Sequence, residues 1–269
     1  MIFLSTIKQD ILEVGKRLYT KGFVASNDGN ISVRVDDKSL LITPTGVCKG
    51  DLEAEDLLLV DYEGNVLSGV KTPTSEMKMH LAIYKARPDA KAIVHAHPQN
   101  ATAFAVAGLP LDKITLPEVI FSLGKIALAE YGTPSTNQVP DAVSKVIKVA
   151  DCILLANHGA LTVGSSIMDA YFKMEILDHF AAITLKARAL GGEKVLDEKE
   201  QKELFRIRSE VYGKKGPYCT NCGVCTDGKQ VKDRLPACVV NTSKIEDESV
   251  KKLTESVVSD VLNIINKRL

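Results

Sequence analysis

The sequence predicts an α/β fold of three layers, a central and mostly antiparallel sheet flanked by helices, followed by a C-terminal extension that ends in an amphipathic helix. Three observations carry this. Alternating or apolar strand-like runs follow one another closely between residues 31 and 60, close enough to pair antiparallel. Later strand-like runs at 92–95, 152–155 and 160–163 are interleaved with helical periodicity. From about Tyr212 the composition turns polar and linker-like, and apolar spacing returns only near the C-terminus.

Ile7, Ile11, Val14 and Leu18 recur at helical spacing behind Ser5, and Gly22-Phe23 closes that helix. Ile31 to Val35 alternates like a half-buried strand, Asp36-Asp37-Lys38 turns the chain, and Leu40-Leu41-Ile42 returns. Leu57 to Val60 is a third strand, before the turn Tyr62-Glu63-Gly64-Asn65. Glu76 to Ala86 reads as a helix stopped by Pro88, Ala92 to His95 as a buried strand, and Gln99 to Ala107 as a helix. Ala142 to Val149 is expected to be helical, Cys152 to Leu155 and Ala160 to Val163 extended, and Ser166 to Leu190 one long helix closed by Gly191-Gly192. The domain organisation expected is a main domain over 1–212, a cysteine-containing linker over 213–245 and an amphipathic helix over 246–269. In the last, Val250, Leu253, Val257, Val261, Ile264 and Ile265 share one face.

Composition narrows the function classes. With 34 basic and 34 acidic residues the formal charge is zero, which gives no support for a nucleic-acid partner. No apolar run is long enough to span a bilayer, and Met1-Ile2-Phe3-Leu4 is too short and uncharged for a signal peptide, so a cytoplasmic protein without a membrane partner is expected. Of six cysteines, four crowd between Cys219 and Cys238, a pattern of metal or redox chemistry in a cytosolic chain. Cys219, Cys222, Cys225 and Cys238 are candidates for a second metal, zinc or an iron–sulfur cluster, or are free thiols. Cys48 and Cys152 read as ordinary core or turn residues.

The strongest chemical signal is a set of histidines. His95 and His97 are two apart in a strand context and therefore point to one side, with Pro98 ending the strand at its rim. His158 in Asn157-His158-Gly159 comes from a second strand end. Three imidazoles suit zinc or another divalent ion and leave a position open for substrate. Glu76 is a fourth ligand, a general base, or an acid favoured by a helix N-terminus. Asp28-Gly29-Asn30, Thr43-Pro44-Thr45-Gly46 and Thr74-Ser75 are small, hydroxyl- or glycine-rich segments. Singly they are ordinary turn and cap chemistry, but together with a metal site they suggest a cradle for a phosphorylated substrate.

These motifs in this order resemble the class II aldolase/adducin-head family across roughly residues 5–212. The matching stretches are Ser26 to Ser32, Ile42 to Gly46, Thr74-Ser75-Glu76, His95-Ala96-His97 and Asn157-His158-Gly159. The resemblance implies a fourfold-symmetric homotetramer with sites between subunits. It implies zinc held by His95, His97 and His158 with Glu76 beside it, and a substrate phosphate held by Asn30, Thr45, Gly46, Thr74 and Ser75. The implied reaction is cleavage of a ketose 1-phosphate of the fuculose or rhamnulose type to dihydroxyacetone phosphate and lactaldehyde. Relatives on the same scaffold act as pentulose-phosphate epimerases or methylthioribulose-phosphate dehydratases, and adducin heads are non-catalytic binding modules. One departure stands out. The family's fuculose-type members carry a tyrosine general acid in the region matching Thr115 to Glu118, and this chain has none there. Glu118 and Tyr131 are the candidate substitutes. The segment beyond residue 212 resembles the extensions of aldolases packaged in bacterial microcompartments, which implies that residues 246–269 dock to shell proteins.

Overall fold

The computed structural model describes residues 2–213, and the cysteine cluster and the segment 246–269 lie outside the described residues. The first helix, α1 (Ile2–Thr20), buries Ile7, Ile11, Val14 and Leu18 as its periodicity predicts. It stops at Gly22, whose φ of +68° is the left-handed conformation that suits glycine. Strands β1 (Asn30–Arg34) and β2 (Ser39–Ile42) follow, and the Asp36 carboxylate accepts from the backbone N–H groups of Lys38 and Ser39 to shape the turn between them. Strands β3 (Leu58–Asp61) and β4 (Val66–Ser68) are joined by a similar turn built on Asp61, which accepts from the backbone N–H groups of Glu63 and Asn65.

Next come α2 (Met77–Ala86), β5 (Ala92–Ala96), α3 (Gln99–Ala107), a π-helical turn at Val119–Leu123, and β6 (Ile126–Ala129). The described chain closes with α4 (Gln138–Ser144), β7 (Cys152–Leu155), β8 (Gly159–Gly164), α5 (Ile167–Ala189) and α6 (Glu198–Glu210). The eight strands form one sheet in the order β4-β3-β2-β1-β5-β8-β7-β6. All neighbours are antiparallel except β6 and β7, which run parallel. The mostly antiparallel sheet flanked by helices is thus present.

The strand alternation sorts side chains into two cores. Ile31, Val33, Leu41, Val94 and Ala96 pack with α1, α3 and α5. Leu40, Ile42, Leu58, Val60 and Ile93 pack with α2 and α4. His95 shares the parity of Ile93, so it faces the α2 layer, where Glu76 lies.

Several elements differ from the sequence expectation, β4 and the π-helical turn among them, and three are instructive. β6 is a short run of small apolar residues with no alternation, and its parallel partner is reached through α4, so adjacency in sequence does not point to it. α4 begins at Gln138, earlier than expected, with Pro140 in its first turn, where a missing N–H costs nothing, and it ends at Ser144, so the expected helical stretch up to Val149 is turn. α6 is mostly polar and carries few apolar markers. Its signal is the capping box in which Asp197 accepts from Glu200 N–H and the Glu200 side chain accepts from Asp197 N–H.

Candidate metal and substrate site

β5 ends at Ala96, one residue short of where same-side strand geometry would place His97. The convergence survives because His97 N–H donates to the Phe23 carbonyl at 2.8 Å, holding the residue at the sheet rim. His158 arrives from the turn between β7 and β8, where Asn157 takes φ +55°, a left-handed value that asparagine tolerates. Gly159 is required by close approach: a Cβ there would lie 2.5 Å from His97 Cδ2 and 2.7 Å from the Ala96 carbonyl oxygen. Gly29 behaves likewise, with φ +73° and a would-be Cβ 2.9 Å from the His95 carbonyl oxygen. These two contacts explain why the motifs around the histidines carry glycine.

The three imidazoles each present a nitrogen, and the three atoms lie within 4.8 Å of one another. Ring centroids are 4.7 to 5.2 Å apart, and His95 Nε2 lies 3.2 Å from His97 Nε2. His95 Nδ1 bonds the Ala160 carbonyl at 2.9 Å, which places its proton on Nδ1 and leaves Nε2 to face the cluster. His97 Nδ1 faces the Asp28 carboxylate at 3.3 Å in the same sense. Glu76, at the N-terminal cap of α2, reaches His95 Nε2 at 3.1 Å and His158 Nε2 at 3.4 Å with its two oxygens.

The electrostatics favour a cation at this point. Burial pushes the Glu76 carboxyl up, but His95, His158 and the Asn30 amide outweigh it and hold it well below the usual carboxylate range. Burial pushes the His95 imidazole down, and Glu76 with the Ala160 carbonyl more than offsets it, so it sits above its ordinary value. His97 is lowered by burial and by His95, and the same two causes, in the same order, bring His158 to about 4. Glu76 Oε1 is buried and accepts no hydrogen bond. Three convergent ring nitrogens and one ionised, under-used carboxylate oxygen are a donor set that fits a divalent metal. His95 is fully buried while the His97 side chain is about a quarter exposed, so the position is reachable from solvent.

The expected anion-binding segments are brought together next to this cluster. Thr43 Oγ1 accepts from Ile31 N–H at 3.1 Å, Thr74 N–H donates to the Thr43 carbonyl at 3.2 Å, and Thr45 N–H to the Thr72 carbonyl at 3.0 Å. Thr45, Gly46 and Ser75 are exposed, whereas Thr74 is buried, with Oγ1 accepting from Glu76 N–H at 3.3 Å. Asn30 is engaged elsewhere: its Nδ2 donates to Glu76 Oε2 at 2.8 Å. Glu118 caps the π-helical turn and is exposed, and Tyr131, 57% exposed, follows β6. Neither makes a hydrogen bond or ion pair to the cluster among the described residues. Tyr131 does leave the sheet at the rim that carries His158, since Ala129 pairs with Leu155 and Ala156 N–H donates to the Ala129 carbonyl.

The family profile described as Class II Aldolase and Adducin N-terminal domain matches residues 9–185, which span every histidine of the cluster and Glu76. The chain belongs to this family. Among its relatives, a 3-oxo-tetronate 4-phosphate decarboxylase of Haemophilus influenzae is 34% identical over 207 residues, covering 73% of this chain and 95% of the relative. An L-fuculose phosphate aldolase of Methanococcus maripaludis is 37% identical over 174 residues, covering 65% and 93%. Among solved structures, an L-fuculose 1-phosphate aldolase superposes with a TM-score of 0.70 at 31% identity, covering 75% of this chain and 95% of that one. As a class II aldolase the protein is a lyase of a family that acts on phosphorylated sugars and generally depends on divalent metal, and its histidine cluster could hold such an ion. The described residues contain no helix long and apolar enough to cross a membrane.

Sequence reasoning gave no role of their own to four residues that shape this site. Asp28 orients His97. Lys49, buried, donates from Nζ to the carbonyls of Asn27 and Val47 and so ties down the loop that carries Asp28. His80 and Ser32 lie behind Asn30. The spacing of Glu76 and His80, one helical turn apart, was the available signal.

Proposed function

We propose that the protein reversibly cleaves a ketose 1-phosphate of the fuculose or rhamnulose type into dihydroxyacetone phosphate and lactaldehyde, with zinc at His95, His97, His158 and Glu76. The carrying observation is the convergence of three ring nitrogens on a buried Glu76 oxygen that has no hydrogen-bond partner. What the bound cation supplies is Lewis-acid stabilisation of negative charge on the substrate's carbonyl and hydroxyl oxygens. His95 and His97, their outer nitrogens tied to the Ala160 carbonyl and to Asp28, keep their ligand atoms aimed inward. Glu76 carries the proton. In the addition direction its carboxylate takes one from the hydroxymethyl carbon of dihydroxyacetone phosphate, and in cleavage it returns that proton to the carbon left by the broken bond.

The exposed hydroxyls of Thr45 and Ser75 and the backbone of Gly46, with Thr74 behind them, hold the phosphate. Asn30 serves that cradle through its position and Glu76 through its amide. The proton on the aldehyde-side oxygen is handled by Tyr131, which leaves the sheet at the same rim as His158; Glu118 is the alternative. The assembly is a homotetramer in the cytoplasm, packaged in a bacterial microcompartment through residues 246–269, with Cys219, Cys222, Cys225 and Cys238 as a second metal or cluster site. A second reading, decarboxylation of a 3-oxo acid phosphate, is favoured by the similarity to the Haemophilus influenzae protein and uses the same charge stabilisation.

The deciding experiment incubates the zinc-loaded protein with dihydroxyacetone phosphate and a panel of aldehydes, and separately with 3-oxo-tetronate 4-phosphate. New ketose phosphates that vanish on chelation and return with zinc are expected. Carbon dioxide release without aldol products moves the protein to the second reading, and silence toward both removes the proposal.

A further inference from the structure

We propose that His80 is a positioning residue whose Nε2–H fixes the amide of Asn30 and, through it, the carboxylate of Glu76. This role rests on Glu76 being the proton carrier proposed above.

His80 lies on α2 one turn after Glu76, fully buried, and belongs neither to the imidazole cluster nor to the phosphate cradle. Its Nε2 is 2.5 Å from Asn30 Oδ1 and its Nδ1 is 2.6 Å from Ser32 Oγ. Ser32 Oγ is in turn 3.0 Å from the hydroxyl of Tyr84, which is also buried. Asn30 and Ser32 are alternate residues of β1 and face the α2 layer together, while His80 and Tyr84 are one turn apart on α2. A strand and a helix are thus stitched by five side chains running from Tyr84 to Glu76.

The direction of every proton in this chain is forced from one end. An ionised carboxylate only accepts, so Asn30 must present Nδ2 to Glu76. Asn30 Oδ1 then faces His80 and only accepts, so His80 must carry its proton on Nε2. His80 Nδ1 is left as an acceptor and takes the Ser32 hydroxyl proton. Ser32, its one proton used, accepts from Tyr84. The His80 and Tyr84 side chains are both fully buried, which disfavours their charged forms and agrees with these proton positions. A flipped Asn30 amide would set its carbonyl oxygen against the Glu76 carboxylate, two acceptors with no proton between them. Glu76, which offers only acceptors, and His80, which donates to Asn30 Oδ1, together oppose the flip.

The test starts with the unmodified full-length protein, labelled with nitrogen-15 in histidine. Long-range proton–nitrogen spectra are expected to show His80 with its proton on Nε2, unchanged between pH 6 and pH 8.5. A proton on Nδ1, or an imidazolium in that range, overturns the proposal whatever reaction the enzyme catalyses. The second arm uses solvent exchange of the hydroxymethyl proton of dihydroxyacetone phosphate in the zinc-loaded protein. His80→Leu, which offers no donor, is expected to slow exchange by about 10- to 100-fold with KM within about threefold. His80→Gln, whose amide can donate from the place of Nε2, is expected to recover most of that rate. Equal rates in His80→Leu and the unmodified protein, or equal losses in the Leu and Gln variants, overturn the positioning role. Absence of exchange in the unmodified protein instead counts against Glu76 as proton carrier, and the spectra then decide the proton state of His80 alone.

Discussion

At the scale of single residues, the burial of His80 makes a measurable demand on stability. Its folded value of about 3 lies below the roughly 6.5 of an unfolded histidine. Between those values the unfolded chain binds the proton and the folded chain does not, so stability is complete above about pH 6.5 and falls as the pH drops toward 3. The loss attributable to this residue is roughly 2 kcal/mol between pH 6.5 and pH 5. Denaturant unfolding of the unmodified protein and of His80→Gln across this range measures it: the difference in stability between the two should shift by that amount, and a constant difference contradicts the buried neutral imidazole. The neighbouring cluster has the opposite character. Glu76 draws positive charge toward His95, while His97 and His158 are held neutral and available as ligands.

At the scale of elements, two helices carry the site without supplying ligands along their lengths. α2 delivers Glu76 at its cap and His80 and Tyr84 on the buried face that follows, which is why a helix with an unremarkable apolar pattern matters. α3 begins immediately after His97 with Pro98 in its cap position, a residue with no side-chain oxygen to receive the free N–H groups. Asp178 of α5 does this instead, accepting from Asn100 N–H at 2.9 Å, Ala101 N–H at 3.0 Å and Asn100 Nδ2 at 2.9 Å. Asp178→Ala strands those donors and should cost about 1–3 kcal/mol in chemical denaturation. Because the capped turn adjoins His97, zinc affinity should weaken in the same variant, as read by competition with a chelator. The cap was invisible to local sequence patterns because donor and acceptor are 77 and 78 residues apart.

At the scale of the whole molecule, the candidate metal ligands among the described residues all lie before residue 160 and the family match ends at 185. Removing residues 246–269 should therefore leave zinc stoichiometry and turnover within about twofold. Turnover follows the rate change by the ordinary transition-state relation, and a twofold effect is well under about 1 kcal/mol. Loss of turnover on truncation would assign the segment to the catalytic body rather than to a partner. Localisation of the full and truncated chains in cells that make microcompartment shells separates the packaging role from catalysis.

The linear sequence was enough to determine the frame and to single out the histidines that converge. A two-residue histidine spacing in a strand, a glycine after His158 and a strand-rich first third each encode a local geometric requirement, and local requirements can be read along the chain. It also offered Asn30 as a phosphate contact and Glu118 beside Tyr131 as alternatives, because residue type alone does not say which neighbour a side chain meets. Only the tertiary structure decided that Asn30 lies between Glu76 and His80, that Asp28 backs His97, and that β6 enters parallel to place Tyr131 at the rim of His158. The reason is physical: hydrogen-bond partners and strand order are set by contacts distant along the chain, for which the sequence carries no local periodicity.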